Sequence, residues 1–242
     1  MMLDFRAIGA RLPLMVRALA VGVPAGAILD WLDTPIPWMI GPMVGVALLN
    51  LFGIRALSIP YGRQTGQIIL GSAVSIYFTP PIVAALGANI WVILIATLSA
   101  FIIGGLGAFI MSKVSGVNAK SAFFASIPGG SMAMANLADK YNAQMPPVAV
   151  AHSLRVSILV IVVPYFMTYG GVPIEILPYK PDLQIDYTVI AVWLLIGGAL
   201  GELSERLHFH NGCFMTPIIL GAILTLSGVE LSLIPGWMTD FA

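Results

Sequence analysis

Charge is what this sequence has least of. Only 9% of its 242 residues are Asp, Glu, Lys or Arg, against 59% hydrophobic, where a water-soluble domain carries about 25% charged residues. Such a chain cannot cover its surface in water, so an integral membrane protein is expected, with the lipid bilayer as its first partner. Eleven basic and eleven acidic residues balance to zero. The counterion release that drives nucleic-acid binding therefore has no excess of basic charge behind it, and no direct nucleic-acid partner is expected. A single cysteine, Cys213, excludes an internal disulfide and any CxxC redox or metal motif. Three histidines, His152, His208 and His210, fall short of the convergent ligands a copper or iron oxygenase needs. His208 and His210, with Glu205 nearby, read instead as an interfacial polar cluster. No nucleophile–base pair, Walker loop or dinucleotide fingerprint occurs, so no enzyme activity, metal or cofactor is expected. The pairs Gly104-Gly105 and Gly197-Gly198 lie inside apolar runs, where close helix packing accounts for them.

What the chain has in quantity is long apolar stretches, and the few charges punctuate them. No charged residue lies between Asp33 and Arg55, Arg63 and Lys113, Asp186 and Glu202, or Arg206 and Glu230. At ~20 residues per span, the length accommodates seven or eight crossings, and the spacing predicts helices over 16–32, 35–54, 66–85, 89–112, 148–170, 187–207 and 212–229. The segment 119–145 differs. It starts as a helix, breaks at Ile127-Pro128-Gly129-Gly130-Ser131 and resumes. Proline removes a backbone donor and paired glycines disfavour helix, so two half-helices are expected. Arg6, Arg11 and Arg17 precede the apolar run from Ala18 to Leu29. No cleavage site and hydrophilic domain follow it, which reads as an uncleaved first helix with a cytoplasmic amino end.

A shift of 175 residues aligns Leu19–Gln67 with Leu194–Ala242 without a gap. The matches that carry weight are Gly22/Gly197, Gly26/Gly201, Pro42/Pro217, Gly53/Gly228 and Pro60/Pro235, because Gly and Pro mark backbone geometry rather than apolarity. The expected organisation is a first repeat over 1–169 with its N-terminal leader, a Pro-rich exposed linker over 170–186, and a second repeat cut short over 187–242. A homo-oligomer or a second chain would complete the missing part. If 119–145 re-enters on the side it came from, the repeat is inverted, and Arg6, Arg11, Arg17, Arg55, Arg63, Lys113, Lys120, Lys140 and Arg206 lie inside with only Lys180 outside. If it crosses, Lys140 and Arg206 move out and Lys180 moves in. The positive-inside rule favours the inverted form by a small margin.

Four motifs carry a family resemblance. Pro37-Trp38-Met39-Ile40-Gly41-Pro42-Met43, Gln64-x-x-Gln67-x-x-Leu70-Gly71, Ile127-Pro128-Gly129-Gly130-Ser131-Met132-Ala133-Met134-Ala135 and Val150-x-His152-x-Leu154-Arg155-Val156 resemble the AbrB-type duplicated bacterial inner-membrane family. The resemblance covers essentially the whole chain and implies a multi-pass inner-membrane protein built from two copies. It brings two inherited names, an ammonia monooxygenase and a regulator of gene expression, neither of which assigns a role to a residue.

The break supplies the leading candidate site. Irregular backbone is tolerated in a bilayer only where it is buried in protein or lines a wet cavity, and the amino end of the second half-helix would present free amides to an anion. Pro128, Gly129, Gly130 and Ser131 form the break, and Ser126 and Asn136 add side-chain donors; a plain turn between short helices is the competing reading. Arg155 is the second candidate. A span over 146–169 puts its guanidinium near the midplane, where it needs a partner, whereas a span starting at Val156 lets it snorkel to the inner surface. His152 and Ser153 would be accessory polar groups. Gln64 and Gln67 extend a polar lining or sit at the interface, Glu202 is a buried carboxylate or part of a solvated helix end, and Trp38, Trp91, Trp193 and Trp237 fit an aromatic belt. The whole reads as an all-α polytopic transmembrane bundle, a secondary transporter of a small anionic or zwitterionic metabolite. The alternative is a membrane-embedded regulator or sensor that alters gene expression indirectly.

Overall fold

The computed structural model of the chain describes residues 5–170, 184–207, 209, 211–229 and 231–242. All regular structure among them is helical: α1 Phe5–Trp31, α2 Pro37–Leu51, α3 Gly62–Ser75, α4 Pro80–Ala88, α5 Ile90–Val114, α6 Ala119–Ser126, α7 Ser131–Lys140, α8 Met145–Tyr169, α9 Tyr187–Arg206, α10 Gly212–Leu226 and α11 Gly236–Asp240. Most of the expected linker, residues 171–183, and the pair His208 and His210 lie outside the described residues.

Helices α1, α5, α8 and α9 are long and apolar enough to cross a membrane, and α3 with α4 adds a fifth candidate if taken as one broken span. That is fewer than seven or eight, for two physical reasons. The helix expected over 66–85 is interrupted after Ser75, and Pro80-Pro81 opens a new one, proline being at home in a first helical turn. Helices α2 and α10 have 15 residues each, which at ~1.5 Å per residue rise about 22 Å, short of a ~30 Å hydrocarbon core.

The chain forms two compact units, one of Met1–Ile82 with Pro164–Ala242 and one of Val83–Val163. In the first, α1 packs on α2, while α10 packs on α9 and α3. Its core gathers Ile76, Trp193 and Leu231, with Leu220, Leu224 and Leu233 around them. Trp193 is thus a core residue, not part of an aromatic belt; a Cβ on Gly221 would collide with the Ser75 side chain and stand 3.1 Å from the Trp193 ring, so the glycine makes room for both. Trp91 and Trp237 are exposed.

The 175-residue offset recurs in this unit. Helices α2 and α10 begin at Pro37 and Gly212 and end at Leu51 and Leu226, and α1 and α9 end at Trp31 and Arg206. Left-handed backbone occurs at Ile36 (φ 51°) and Asn211 (φ 64°), and again at Gly53 (φ 78°) and Gly228 (φ 82°). A β-branched residue rarely adopts such a φ, so Ile36 holds a conformation its own chemistry disfavours. The packing follows the same offset: a Cβ on Gly22 would lie 3.2 Å from Pro42, and one on Gly197 3.4 Å from Pro217.

In the second unit α5 packs on α6, and α6 on α7. Asn118 caps α6 by accepting from the Ser121 amide at 2.7 Å. The outer ends of the two half-helices meet: Lys120 Nζ donates to the Tyr141 carbonyl at 3.3 Å, and the Phe124 and Tyr141 rings stack at 5.9 Å. The Gln144 amide then donates to Ser121 Oγ at 2.6 Å. Residues 119–141 therefore make a hairpin of half-helices with its base at Lys120 and Tyr141 and its tip at the Pro-Gly-Gly break.

Candidate functional site

Proline creates the chemical problem at the tip. Inside a helix the Phe124 carbonyl would accept from the amide four residues on, but that residue is Pro128, which has no N–H. His152 of α8, fully buried, takes the place of the missing amide: its Nε2 lies 2.9 Å from the Phe124 carbonyl oxygen. A carbonyl only accepts, so Nε2 carries the proton and Nδ1 is left as a bare acceptor. Arg155, one turn further along α8, donates to that Nδ1 at 2.7 Å and to the Ser126 carbonyl at 3.2 Å. Its cation also sits at the carboxyl end of α6, where the peptide dipoles favour positive charge.

Position along the helices follows from counting residues. Helix α8 runs unbroken over Met145–Tyr169 with Arg155 well inside it, about 15 Å from its start at ~1.5 Å per residue. The tip packs on α5 at Gly104, where a Cβ would stand 3.2 Å from Pro128 Cδ and from the Ser126 carbonyl. Gly104 is near the middle of the 25-residue Ile90–Val114 helix. Gly105 has nothing within 4 Å, so only the first glycine of that pair is a packing position within the chain.

The other expected residues divide. A Cβ on Gly129 would collide with the Met134 side chain, so the break folds back over the first turn of α7. Gly130 is the N-cap of α7 and no side chain caps that end. Ser131 and Asn136 are exposed on α7. The unit thus brings Pro128, His152 and Arg155 together around the carbonyls of Phe124 and Ser126, and leaves Ser131 and Asn136 toward the open side. Ser126 contributes its carbonyl to Arg155, while its hydroxyl faces the Met111 sulfur at 3.9 Å. Of the five guanidinium donors, two are engaged and three are free for a ligand among the described residues. Sequence reasoning missed Phe124 and Ser121, and read Gly104 as a packing glycine without its partner; the spacing of Phe124 from Pro128 was the one available signal for the first.

Gln67 belongs to the other unit, where its amide donates to Asn211 Oδ1 at 2.6 Å and ties α3 to α10. Glu202 pairs with Arg206 on an exposed face, a solvated helix end.

Among the described residues all regular structure is helical, and four to five helices are long and apolar enough to cross a membrane, which defines the class. Residues 38–242 match the family model described as "Transition state regulatory protein AbrB", and the chain belongs to the AbrB family. It is similar to an Escherichia coli (strain K12) protein named "Putative regulator AbrB", 25% identical over 219 residues that make up 86% of this chain and 60% of that protein. The chain accordingly spans about three-fifths of the length of this relative. No solved structure matches it.

Proposed function

We propose that the chain is a multi-pass inner-membrane secondary transporter for a small anionic or zwitterionic metabolite, with the hairpin tip as its substrate site. The observation that carries this reading is the meeting of Pro128 with Gly104 at the middle of a 25-residue apolar helix. A helix broken at mid-depth, with uncapped amides on α7 and a partnered arginine beside it, has the parts from which transporters build midplane sites. Pro128, Gly129, Gly130 and Ser131 shape the site, Arg155 supplies the charge, His152 holds Arg155, and Asn136 lies along the approach.

The duplicated architecture belongs to the same proposal. Helices α1–α2 and α9–α10 are its two copies, supported by helix ends and left-handed turns 175 residues apart. The contact of Lys120 with Tyr141 supports a segment that enters and returns on one side, and with it an inverted repeat and a cytoplasmic amino end. Cysteines placed at Lys113 and Lys140 then label from the same face of the membrane; labelling from opposite faces contradicts the inversion.

Uptake tests the function. Vesicles of phosphatidylethanolamine and phosphatidylglycerol containing the protein accumulate labelled succinate, glutamate or inorganic phosphate, and Arg155→Gln abolishes the flux. Absence of flux for every member of that panel, with an expression phenotype retained in cells, favours the second reading, a membrane-embedded regulator, which the words "regulatory" and "regulator" in the names of the family and of the relative support.

A further inference from the structure

We propose that His152 is a proton-binding site that competes with Arg155, so that uptake of one proton releases the guanidinium from the imidazole. The consequence for transport, that the freed guanidinium meets a substrate anion at the tip, rests on the function proposed above; the proton site itself does not.

The geometry leaves one place for the proton. Nε2 is committed to the Phe124 carbonyl at 2.9 Å, and the lone pair of Nδ1 is taken by an Arg155 N–H at 2.7 Å. A proton from hydronium that bonds to Nδ1 turns an acceptor into a donor facing a donor and sets two cations against each other. The Nε2 bond survives and gains charge assistance, while the Arg155 bond to the ring cannot. The proton leaves an O–H bond of hydronium, which becomes water. One N–H bond forms, one hydrogen bond is given up, and the guanidinium keeps the Ser126 carbonyl while regaining a free donor.

Among the described residues no other charged group competes for the ring. From α6, Lys120 is engaged with the Tyr141 carbonyl. From α5, Lys113 lies in the last turn over the Phe109 ring at 5.9 Å, and from α7, Asp139 and Lys140 are exposed at its far end. Among the described residues none of these bonds to the imidazole, so the exchange is a contest between one proton and Arg155. An anion that draws Arg155 away favours protonation, and protonation favours the anion by the same factor. Proton and anion would load together, and a proton gradient would drive the anion.

The test reads the ring rather than the flux. The full chain carrying His208→Ala and His210→Ala, so that His152 is its sole histidine, is labelled with [15N]histidine. It is placed in phosphatidylethanolamine and phosphatidylglycerol vesicles and followed by solid-state NMR from about pH 8 to about pH 5. The expected spectrum has protonated Nε2 and bare Nδ1 at the alkaline end, then one step in which Nδ1 gains its proton. Arg155→Met, which removes the competing donor, moves that step to higher pH. Sulfate, a dianion throughout the range, moves it the same way in the unsubstituted site. A bare Nε2 at the alkaline end, no step at all, or a step unmoved by both Arg155→Met and sulfate overturns the proposal. A step moved by Arg155→Met but not by sulfate leaves the proton site standing and counts against the anion site of the proposed function. Should Arg155→Met fail to fold, the tautomer and the step in the chain with Arg155 intact still decide.

Discussion

His152 Nε2 lies 2.9 Å from the Phe124 carbonyl oxygen, the acceptor that Pro128 deprives of its helical partner. In a bilayer an unsatisfied carbonyl costs several kcal/mol, so the donor supplied by a side chain of the following long helix stabilises the break. Arg155 does the same for Ser126. These two residues are therefore anchors of the hairpin before they are anything else, and any role toward a substrate is built on that.

Replacing His152 by Leu orphans the Phe124 carbonyl and removes the acceptor for Arg155. The expected loss is about 1–3 kcal/mol, read as a lower midpoint of thermal unfolding in detergent. His152→Gln, which keeps one donor and one acceptor, recovers part of it. Equal losses for the two variants would mean that imidazole packing, not hydrogen bonding, holds the tip.

Gly104 and Gly105 are adjacent in sequence and opposite in consequence. Valine at 104 would press on Pro128 and the Ser126 backbone and displace the tip, so the proposed transport should fall sharply. A Cβ at 105 meets nothing within 4 Å, so valine there should leave flux near that of the unsubstituted chain. The comparison is made by uptake at equal protein incorporation.

The sequence disclosed some of this and hid the rest for identifiable reasons. The 175-residue offset found from Gly and Pro matches corresponds to helix ends and left-handed turns, because those residues report backbone geometry. The break at Pro128-Gly129-Gly130 was legible for the same reason. The interruption before Pro80-Pro81 was not, since the stretch from Arg63 to Lys113 has no charge to punctuate it. Trp193 looked interfacial because nothing local says that Gly221, 28 positions later in sequence, clears a place for its ring. The pairing of His152 with Phe124 joins separate helices, and only the proline at the fourth position after Phe124 hints at the need for it. Asn136 has the right chemistry for a site, yet it sits on the exposed side of α7.

Asp186 gives a pH dependence outside the spans. Its carboxylate accepts from the Thr188 amide at 2.8 Å and the Val189 amide at 3.3 Å, and these backbone bonds hold its carboxyl below the ordinary value of 3.8. A depressed carboxyl stabilises the fold above its unfolded value and loses that contribution as pH falls through the folded one. Amide exchange at Thr188 and Val189 should therefore be slow near neutrality, after the intrinsic rate is corrected for, and lose protection only below pH 3.8. Asp186→Asn should remove that acid transition. Protection that is lost well above pH 3.8 would contradict the cap.

The central claim is that the tip lies at mid-depth yet faces water in a transport cycle. Ser131, the exposed first residue of α7, reports on it when replaced by Cys in a Cys213→Ala chain, which then holds no other thiol. The measurement is its modification by a membrane-impermeant thiol reagent applied to either face of sealed, oriented vesicles. Alternating access predicts reaction from both faces. A cysteine at 131 that reacts from neither face, while one at Lys140 in the same background reacts readily, would contradict the account.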